Sequence, residues 1–169
     1  FMTSHPKDLS DELIAVMAQE KKICNQLHLP LQSGSDKILE KMNRKYTVAE
    51  YMDKIRKVKA AMPDIVLTTD IIIGFPGETV EDVEGTLRVL REVEYDTIFS
   101  FIYSKRVGTP AAVMPDVMTA EEKHEQFDRL LEVQNEISYR KNEQYLNRIV
   151  SVLVEGVSKT DPETMSGRT

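Results

Sequence analysis

Thr69 to Glu78 reads TDIIIGFPGE, a β-branched run that stops at Gly74. Three successive isoleucines with almost no polar alternation describe a strand covered on both faces, and the expected strand reaches back to Ile65. Gly74 and Gly77 permit positive φ or close main-chain approach, while Pro76 stiffens the turn and removes a donor. A flat ring can rest against such a turn, since no side chain stands in its way. The bland alternative is a plain strand-to-helix turn. Asp70 lies inside the most apolar strand, where an unpaired carboxylate is costly to bury, so it requires donors. A ribose diol supplies two hydroxyls; a structural partner such as an arginine is the alternative.

The neighbouring segments extend this βα unit in both directions. Thr79 is a predicted N-cap, followed by a helix with Val83, Leu87 and Leu90 on one face and a strand near Thr97 to Tyr103. Upstream, QLHLPL at 26–31 predicts a strand, and QSGS at 32–35 leads into a short helix near Asp36 to Met42, capped by Ser35 or Asp36. Thr47 with Glu50 and Thr119 with Glu122 each have capping-box spacing. The first opens a helix with Tyr51, Ile55 and Val58 inward, the second a long helix with Phe127, Leu130 and Ile137 inward. At the ends, Phe1 to Ser4 and Ile149 to Val154 read as strands, the former preceding a helix capped near Asp8 or Ser10 that turns Leu13, Ile14 and Met17 to one side. Alternating strands and amphipathic helices predict an α/β fold, with ligands at the carboxyl ends of parallel strands in an open sheet or a barrel alike.

Composition bounds the class. The 169 residues are 41% apolar, enough for one substantial core, and no apolar run approaches the roughly 20 residues that span a bilayer. FMTSHPKDLS lacks the basic-then-apolar order of a signal peptide, so the expectation is a soluble, cytoplasmic chain without a membrane partner. A net charge of −6 argues against broad DNA binding. From Arg140 onward five basic residues meet four acidic ones, leaving +1, so that −7 falls on the rest. The lone Cys24 excludes an internal disulfide and any thiolate-only metal site built from this chain. His5 and His28 lack acidic or thiolate company and read as packing or hydrogen-bonding residues rather than metal ligands.

Three loops at expected strand ends carry polar chemistry. LQSGSD offers Gln32, Ser33 and Ser35 around Gly34; an N-cap accounts for Ser35 but leaves Gln32 unexplained. Arg44, directly after the short helix, has the fork geometry to hold a carboxylate. Lys105 and Arg106 in YSKRVGTP form a basic pair that reads as a phosphate contact or a solvated loop.

Together, TSHP (3–6), HLPLQSGSDKILEKMNRKYT (28–47), TDIIIGFPGET (69–79) and SFIYSKRVGTPAA (100–112) resemble, in order and spacing, segments of the radical S-adenosylmethionine methylthiotransferases that modify tRNA. The resemblance covers nearly the whole chain. LPLQSGSD, SHP, GTPAA and the final SGRT are most similar to the branch acting on isopentenylated adenosine beside the anticodon; the branch acting on threonylcarbamoyl-adenosine is the neighbouring possibility. The implied fold is a partial TIM-like (β/α) radical-SAM barrel over 1–147 with a C-terminal helix. Residues 148–169 then hold the first strand of an incomplete RNA-binding β-barrel. The implied site sets Gly74, Phe75 and Gly77 against the adenine of S-adenosylmethionine, Asp70 and Gln32 near its ribose and Arg44 at its carboxylate, with Ser33 and Ser35 as further contacts.

The implied reaction uses a reduced [4Fe-4S] cluster to cleave S-adenosylmethionine. The resulting deoxyadenosyl radical takes hydrogen from carbon 2 of the adenine, a second [4Fe-4S] cluster delivers sulfur, and another S-adenosylmethionine the methyl group. The CxxxCxxC run for the radical cluster is absent and Cys24 cannot replace it, so the expectation is an excised, inactive portion of a tRNA-binding enzyme. Two readings from other classes compete. A noncatalytic RNA-binding module draws on the mildly basic tail, and an ordinary nucleotide-binding domain on the glycine turn, although no GxxxxGK[ST] run is present.

Overall fold

The computed structural model describes residues 5–168. The strand expected at 1–4 lies outside them. The order is a short 3-10 turn at Pro6–Asp8, α1 (Asp11–Gln19), β1 (Gln26–His28), α2 (Asp36–Lys41), α3 (Val48–Ala61), β2 (Val66–Ile73), α4 (Val80–Val93) and β3 (Thr97–Ile102). A second 3-10 turn at Pro110–Val113 follows, then α5 (Ala120–Glu143), β4 (Leu153–Val157) and β5 (Met165–Arg168). The first three strands form one parallel sheet in the order β1-β2-β3. The parallel α/β architecture expected from the sequence is therefore present.

Local chemistry sets the helix starts. Ser10 caps α1, accepting from the Leu13 amide, and capping boxes open α3, α4 and α5 at Thr47, Thr79 and Thr119. Ser35 occupies the N-cap position of α2 without making a cap bond.

β1 is shorter than expected: its ladder to β2 ends where the Leu29 amide donates to the Thr68 carbonyl (2.9 Å), because the next amide on that side, Leu31, turns to Thr69 Oγ1 instead. The chain steps out after His28 and rejoins β2 at Gln32, where the Gln32 amide donates to the Asp70 carbonyl (2.8 Å) and the Ile72 amide to the Gln32 carbonyl (2.9 Å). Gln32 takes φ 71° to do so. Thr69 secures the detour by donating to the Leu29 carbonyl and accepting from the Leu31 amide, each at 2.8 Å. The buried Tyr51 hydroxyl also donates to Leu29 (2.8 Å), which leaves Tyr95 as the donor in the 2.8 Å contact between the two tyrosine hydroxyls.

The core lies on one side of the sheet. Leu67, Ile71 and Ile73 of β2 join Tyr51, Ile55, Val58, Val83, Leu87, Leu90, Leu130 and Ile137, with Phe127 partly buried at the edge. The expectation of cover on both faces is corrected: Phe99 and Phe101 of β3 are 51% and 56% exposed on the opposite face, beside Asp70 and Ile72. Residues of α3, α4 and α5 fill the first face, so the isoleucine run reports one packed side plus an apolar open one.

The C-terminal strand also moves. Residues 149–152 are irregular and Ile149 is fully exposed, whereas Leu153–Val157 pairs antiparallel with Met165–Arg168. The apolar run IVSVLV attracts the prediction, but a strand forms only where a partner runs alongside, and here that is MSGR across a turn closed by Asp161 accepting from Glu163. A two-stranded hairpin thus replaces the expected single strand.

Candidate functional site

The GFPGE turn is held from inside by its own glutamate. Gly74 and Gly77 sit at φ 78° and 82°, the region that favours glycine. Glu78 is fully buried; one carboxyl oxygen accepts from the Gly74 amide (2.5 Å), and the other has no hydrogen-bond partner among the described residues. Burial pushes this carboxyl up to about 7, against the opposing pull of the Gly74 and Phe75 amides. The turn is thereby fixed with Phe75 outward, packing edge-on against Tyr103 at 5.0 Å.

The QSGS loop is anchored to α4. Gly34 donates to Thr86 Oγ1 (2.8 Å), and a Cβ on Gly34 would stand 2.4 Å from the Thr86 Cα. Only glycine fits between these backbones. Asp82 gathers Ser35 Oγ (2.7 Å), the Thr79 amide (2.9 Å) and Lys37 (2.5 Å). Partial burial works against its ionisation, yet these donors hold the carboxyl down at about 2. Ser33 is buried and accepts from the Ser35 amide. Ser33 and Ser35, expected as ligand contacts, instead spend their hydroxyls inside the loop and on α4.

Gln32, Asp70, Phe75 and Arg44 do converge. A cavity of about 510 Å³ is lined by Gln32, Asp70, Ile72, Phe75, Phe101, Tyr103 and Arg106 among others. A second, of about 460 Å³, shares Gln32, Ile72, Phe75, Thr109 and Ala111 with it and reaches Met42, Asn43 and Arg44. Arg44 is presented by a left-handed turn, with Asn43 at φ 58° and the Arg44 amide donating to the Leu39 carbonyl (2.8 Å). It is partly buried and forms no ion pair among the described residues. The Gln32 side chain likewise has no hydrogen-bond partner among them. Tyr103, on the same wall, carries a buried hydroxyl without a partner.

Asp70 has His28 as its neighbour, Nε2 lying 3.5 Å from Asp70 Oδ2, rather than an arginine. Lys105 meets Asp116 (3.2 Å), which also binds Lys123 (2.7 Å), so the basic pair is divided and only Arg106 lines the cleft. His5 accepts from the Lys7 amide and packs edge-on against Tyr46, in keeping with a structural role. Sequence reasoning missed Tyr103 and Ile72 as walls and Glu78 as the brace of the turn; each sits in a segment already singled out, but none has a residue type that signals a ligand.

The cleft suits a ligand with a flat ring, hydroxyls and a carboxylate: an aromatic wall at Phe75, an acceptor at Asp70, an amide at Gln32 and, at Arg44, a cation with no ion pair among the described residues. The polar atoms left without partners among the described residues fit the methionyl nucleoside that the resemblance implies. An iron-sulfur cluster does not fit these residues. Cys24 is the single cysteine, and no group of three His, Cys, Asp or Glu side chains among the described residues is placed to hold a metal ion. A groove of similar size, about 530 Å³, lies between the first 3-10 turn and α3, away from the strand ends. Two of its lysines are engaged, Lys54 with the Leu9 carbonyl and Lys57 with Asp11.

The family model described as the Radical SAM superfamily matches residues 1–90. A tRNA-2-methylthio-N(6)-dimethylallyladenosine synthase from Acetivibrio thermocellus is 56% identical over all 169 residues, which cover 35% of that protein. One of the same name from Clostridium novyi is 54% identical, with 37% of its length covered. The chain therefore spans little more than a third of the curated relatives it matches. Among solved structures, coproporphyrinogen III oxidase (HemN) from Escherichia coli, described as a radical SAM enzyme, superposes with TM-score 0.65 at 16% identity, over 79% of this chain and 31% of that one. The radical S-adenosylmethionine methyltransferase TsrM from Kitasatospora setae, with cobalamin and a [4Fe-4S] cluster bound, gives 0.52 at 17% identity, over 64% and 21%. These two show the fold alone. No helix among the described residues is long and apolar enough to cross a membrane.

Proposed function

Because the chain belongs to the radical SAM superfamily, we propose that it forms one wall of the S-adenosylmethionine site of a tRNA-modifying methylthiotransferase. The reaction proposed for the whole enzyme adds a methylthio group to carbon 2 of isopentenylated adenosine beside the anticodon, in the cytoplasm. The names and identity of the relatives support that substrate over threonylcarbamoyl-adenosine. The observation that carries the site is the convergence of Phe75, Asp70, Gln32 and an unpaired Arg44 on one cleft at the carboxyl ends of parallel strands.

Within that cleft each residue has a distinct task. Gly74 and Gly77 let the main chain lie flat while Phe75 forms the wall for the adenine. Asp70 accepts from the ribose diol, Gln32 adds an amide, and the Arg44 guanidinium holds the methionine carboxylate. Ser33 and Ser35 act indirectly, fixing the loop that carries Gln32. When bound, S-adenosylmethionine and a reduced [4Fe-4S] cluster supply the one-electron chemistry, and this chain binds and orients the former. Two such clusters are proposed for the complete enzyme, with thiolates outside these residues, so this chain alone is inactive. Residues 148–169 are proposed to begin the RNA-binding β-barrel after a barrel portion ending at 147.

Calorimetric titration with S-adenosylhomocysteine and, separately, ATP tests the site. Binding of the first in preference to the second is expected, because the cleft holds a carboxylate partner and lacks a glycine-rich phosphate cradle. Preference for ATP would overturn the assignment and favour an ordinary nucleotide-binding domain.

A further inference from the structure

On the open face of the sheet, His28 is held from three directions. Its Nδ1 lies 3.0 Å from Thr68 Oγ1, its Nε2 3.5 Å from Asp70 Oδ2, and its ring packs edge-on against Phe99 at a centroid distance of 5.7 Å and 69°. Thr68 is buried and His28 almost so, whereas the Asp70 side chain is 30% exposed and lines the cleft. Thr68 and Asp70 are two apart on β2 and share a face, and His28 pairs with Thr68 in the register of β1 on β2. The strand geometry thus sets the three in a row that ends at the cleft.

The chemistry orders the protons along that row. A carboxylate oxygen accepts, so the imidazole tautomer that can serve Asp70 is the one with its proton on Nε2. Nδ1 is then the acceptor, and the Thr68 hydroxyl donates to it. A threonine that donates to Nδ1 fixes both tautomer and ring plane, as second partners do for functional histidines. Asp70 sits directly before the isolated bridge between Ile71 and Gln32: its own carbonyl accepts from the Gln32 amide, and the Ile72 amide donates to the Gln32 carbonyl. Among the described residues, His28 is the only basic side chain paired with the Asp70 carboxylate by distance, at 3.5 Å.

We infer that His28 is a positioning residue that, locked by Thr68, turns the Asp70 carboxylate so that its remaining lone pairs face the ribose diol of the bound nucleoside. This rests on the S-adenosylmethionine reading of the cleft. One oxygen is steadied by the imidazole, and the other stays open to the ligand. Nothing in the amino-acid pattern announces this role, since residues 28 and 70 are 42 positions apart and a histidine before Pro30 reads as packing.

The test pairs a binding measurement with a spectroscopic one. Affinity for S-adenosylhomocysteine and for its 2′,3′-dideoxy analogue is measured by calorimetry on the unaltered chain, His28→Phe and His28→Gln. His28→Phe is expected to weaken S-adenosylhomocysteine about tenfold, the scale of one lost hydrogen bond to a charged group, and to leave the dideoxy analogue unchanged. His28→Gln, whose amide can still donate towards Asp70, is expected to recover most of the loss. Equal weakening of both ligands, or none, overturns the inference. Independently of any ligand, ¹⁵N shifts of the His28 ring are expected to report one Nε2–H tautomer that shifts in Asp70→Asn and averages in Thr68→Val. Averaging in the unaltered chain, or insensitivity to both changes, also overturns it. Failure of the unaltered chain to bind S-adenosylhomocysteine, with the tautomer fixed as expected, would instead overturn the cofactor reading.

Discussion

Replacing Glu78 with glutamine is predicted to remove most of the pH dependence of folding stability between pH 5 and 8. The folded protein holds the Glu78 proton up to about pH 7 because burial disfavours the charge, whereas an ordinary glutamate releases it near 4.5. Folded chains therefore bind more protons than unfolded ones in that interval, and stability falls as pH rises. At about 1.4 kcal/mol per pH unit, the loss from 4.5 to about 7 is on the order of 3 kcal/mol. Against a total of roughly 5–15 kcal/mol for a domain, that is a visible share. Glutamine keeps an acceptor for the Gly74 amide and has no charge to desolvate. Urea midpoints at half-unit pH steps are the assay. The unaltered chain should lose stability from pH 5 to 8, and Glu78→Gln should run nearly flat and exceed it at pH 8. His5, whose proton affinity burial and Arg44 lower, acts in the opposite direction over part of this range, so a double variant with His5→Gln isolates the glutamate. Equal slopes with and without Glu78 would refute the account of the buried brace.

Other perturbations follow from single contacts. Gly34→Ala should destabilise by about 1–3 kcal/mol, since its Cβ would stand 2.4 Å from the Thr86 Cα, and denaturant titration reads the loss. Arg44→Ala should weaken S-adenosylhomocysteine about tenfold or more and leave 5′-methylthioadenosine, which has no carboxylate, unaffected in the same calorimetric assay. Tyr95→Phe should cost about 1 kcal/mol by removing the donor to Tyr51, less than Tyr51→Phe, which strips the Leu29 carbonyl of a partner as well; thermal unfolding would rank the two.

Much of the frame was legible because its signals are local. The N-cap at Thr79 and the capping boxes at Thr47 and Thr119 need at most three residues of spacing, and the inward stripes of α3, α4 and α5 follow the helical repeat; that Asp82 completes a box at Thr79 emerges from the structure. Features that depend on distant partners were not legible. Ser35 has cap chemistry but is drawn to Asp82, 47 residues on, and Gly34 is a glycine because α4 passes against it. The tail shows the same limit: apolar Ile149 to Val152 lacks a neighbouring strand, while MSGR, with little intrinsic strand preference, has one. In the site, the glycines of the turn and the need of Asp70 for a donor could be read directly. That the neighbour of Asp70 is His28, and that Ser33 and Ser35 face inward, emerges only from the folded arrangement.

The central claim is that the cleft between the GFPGE turn, Gln32 and Arg44 receives a methionyl nucleoside. Backbone amide shifts recorded during titration with S-adenosylhomocysteine test it most directly. The account predicts that Gln32, Arg44, Asp70, Gly74, Phe75 and Tyr103 move together and saturate at one ligand per chain. Shifts confined to the outer groove at Lys7, Lys45 and Lys57, or to the β4-β5 hairpin, with those six amides unmoved, would contradict it.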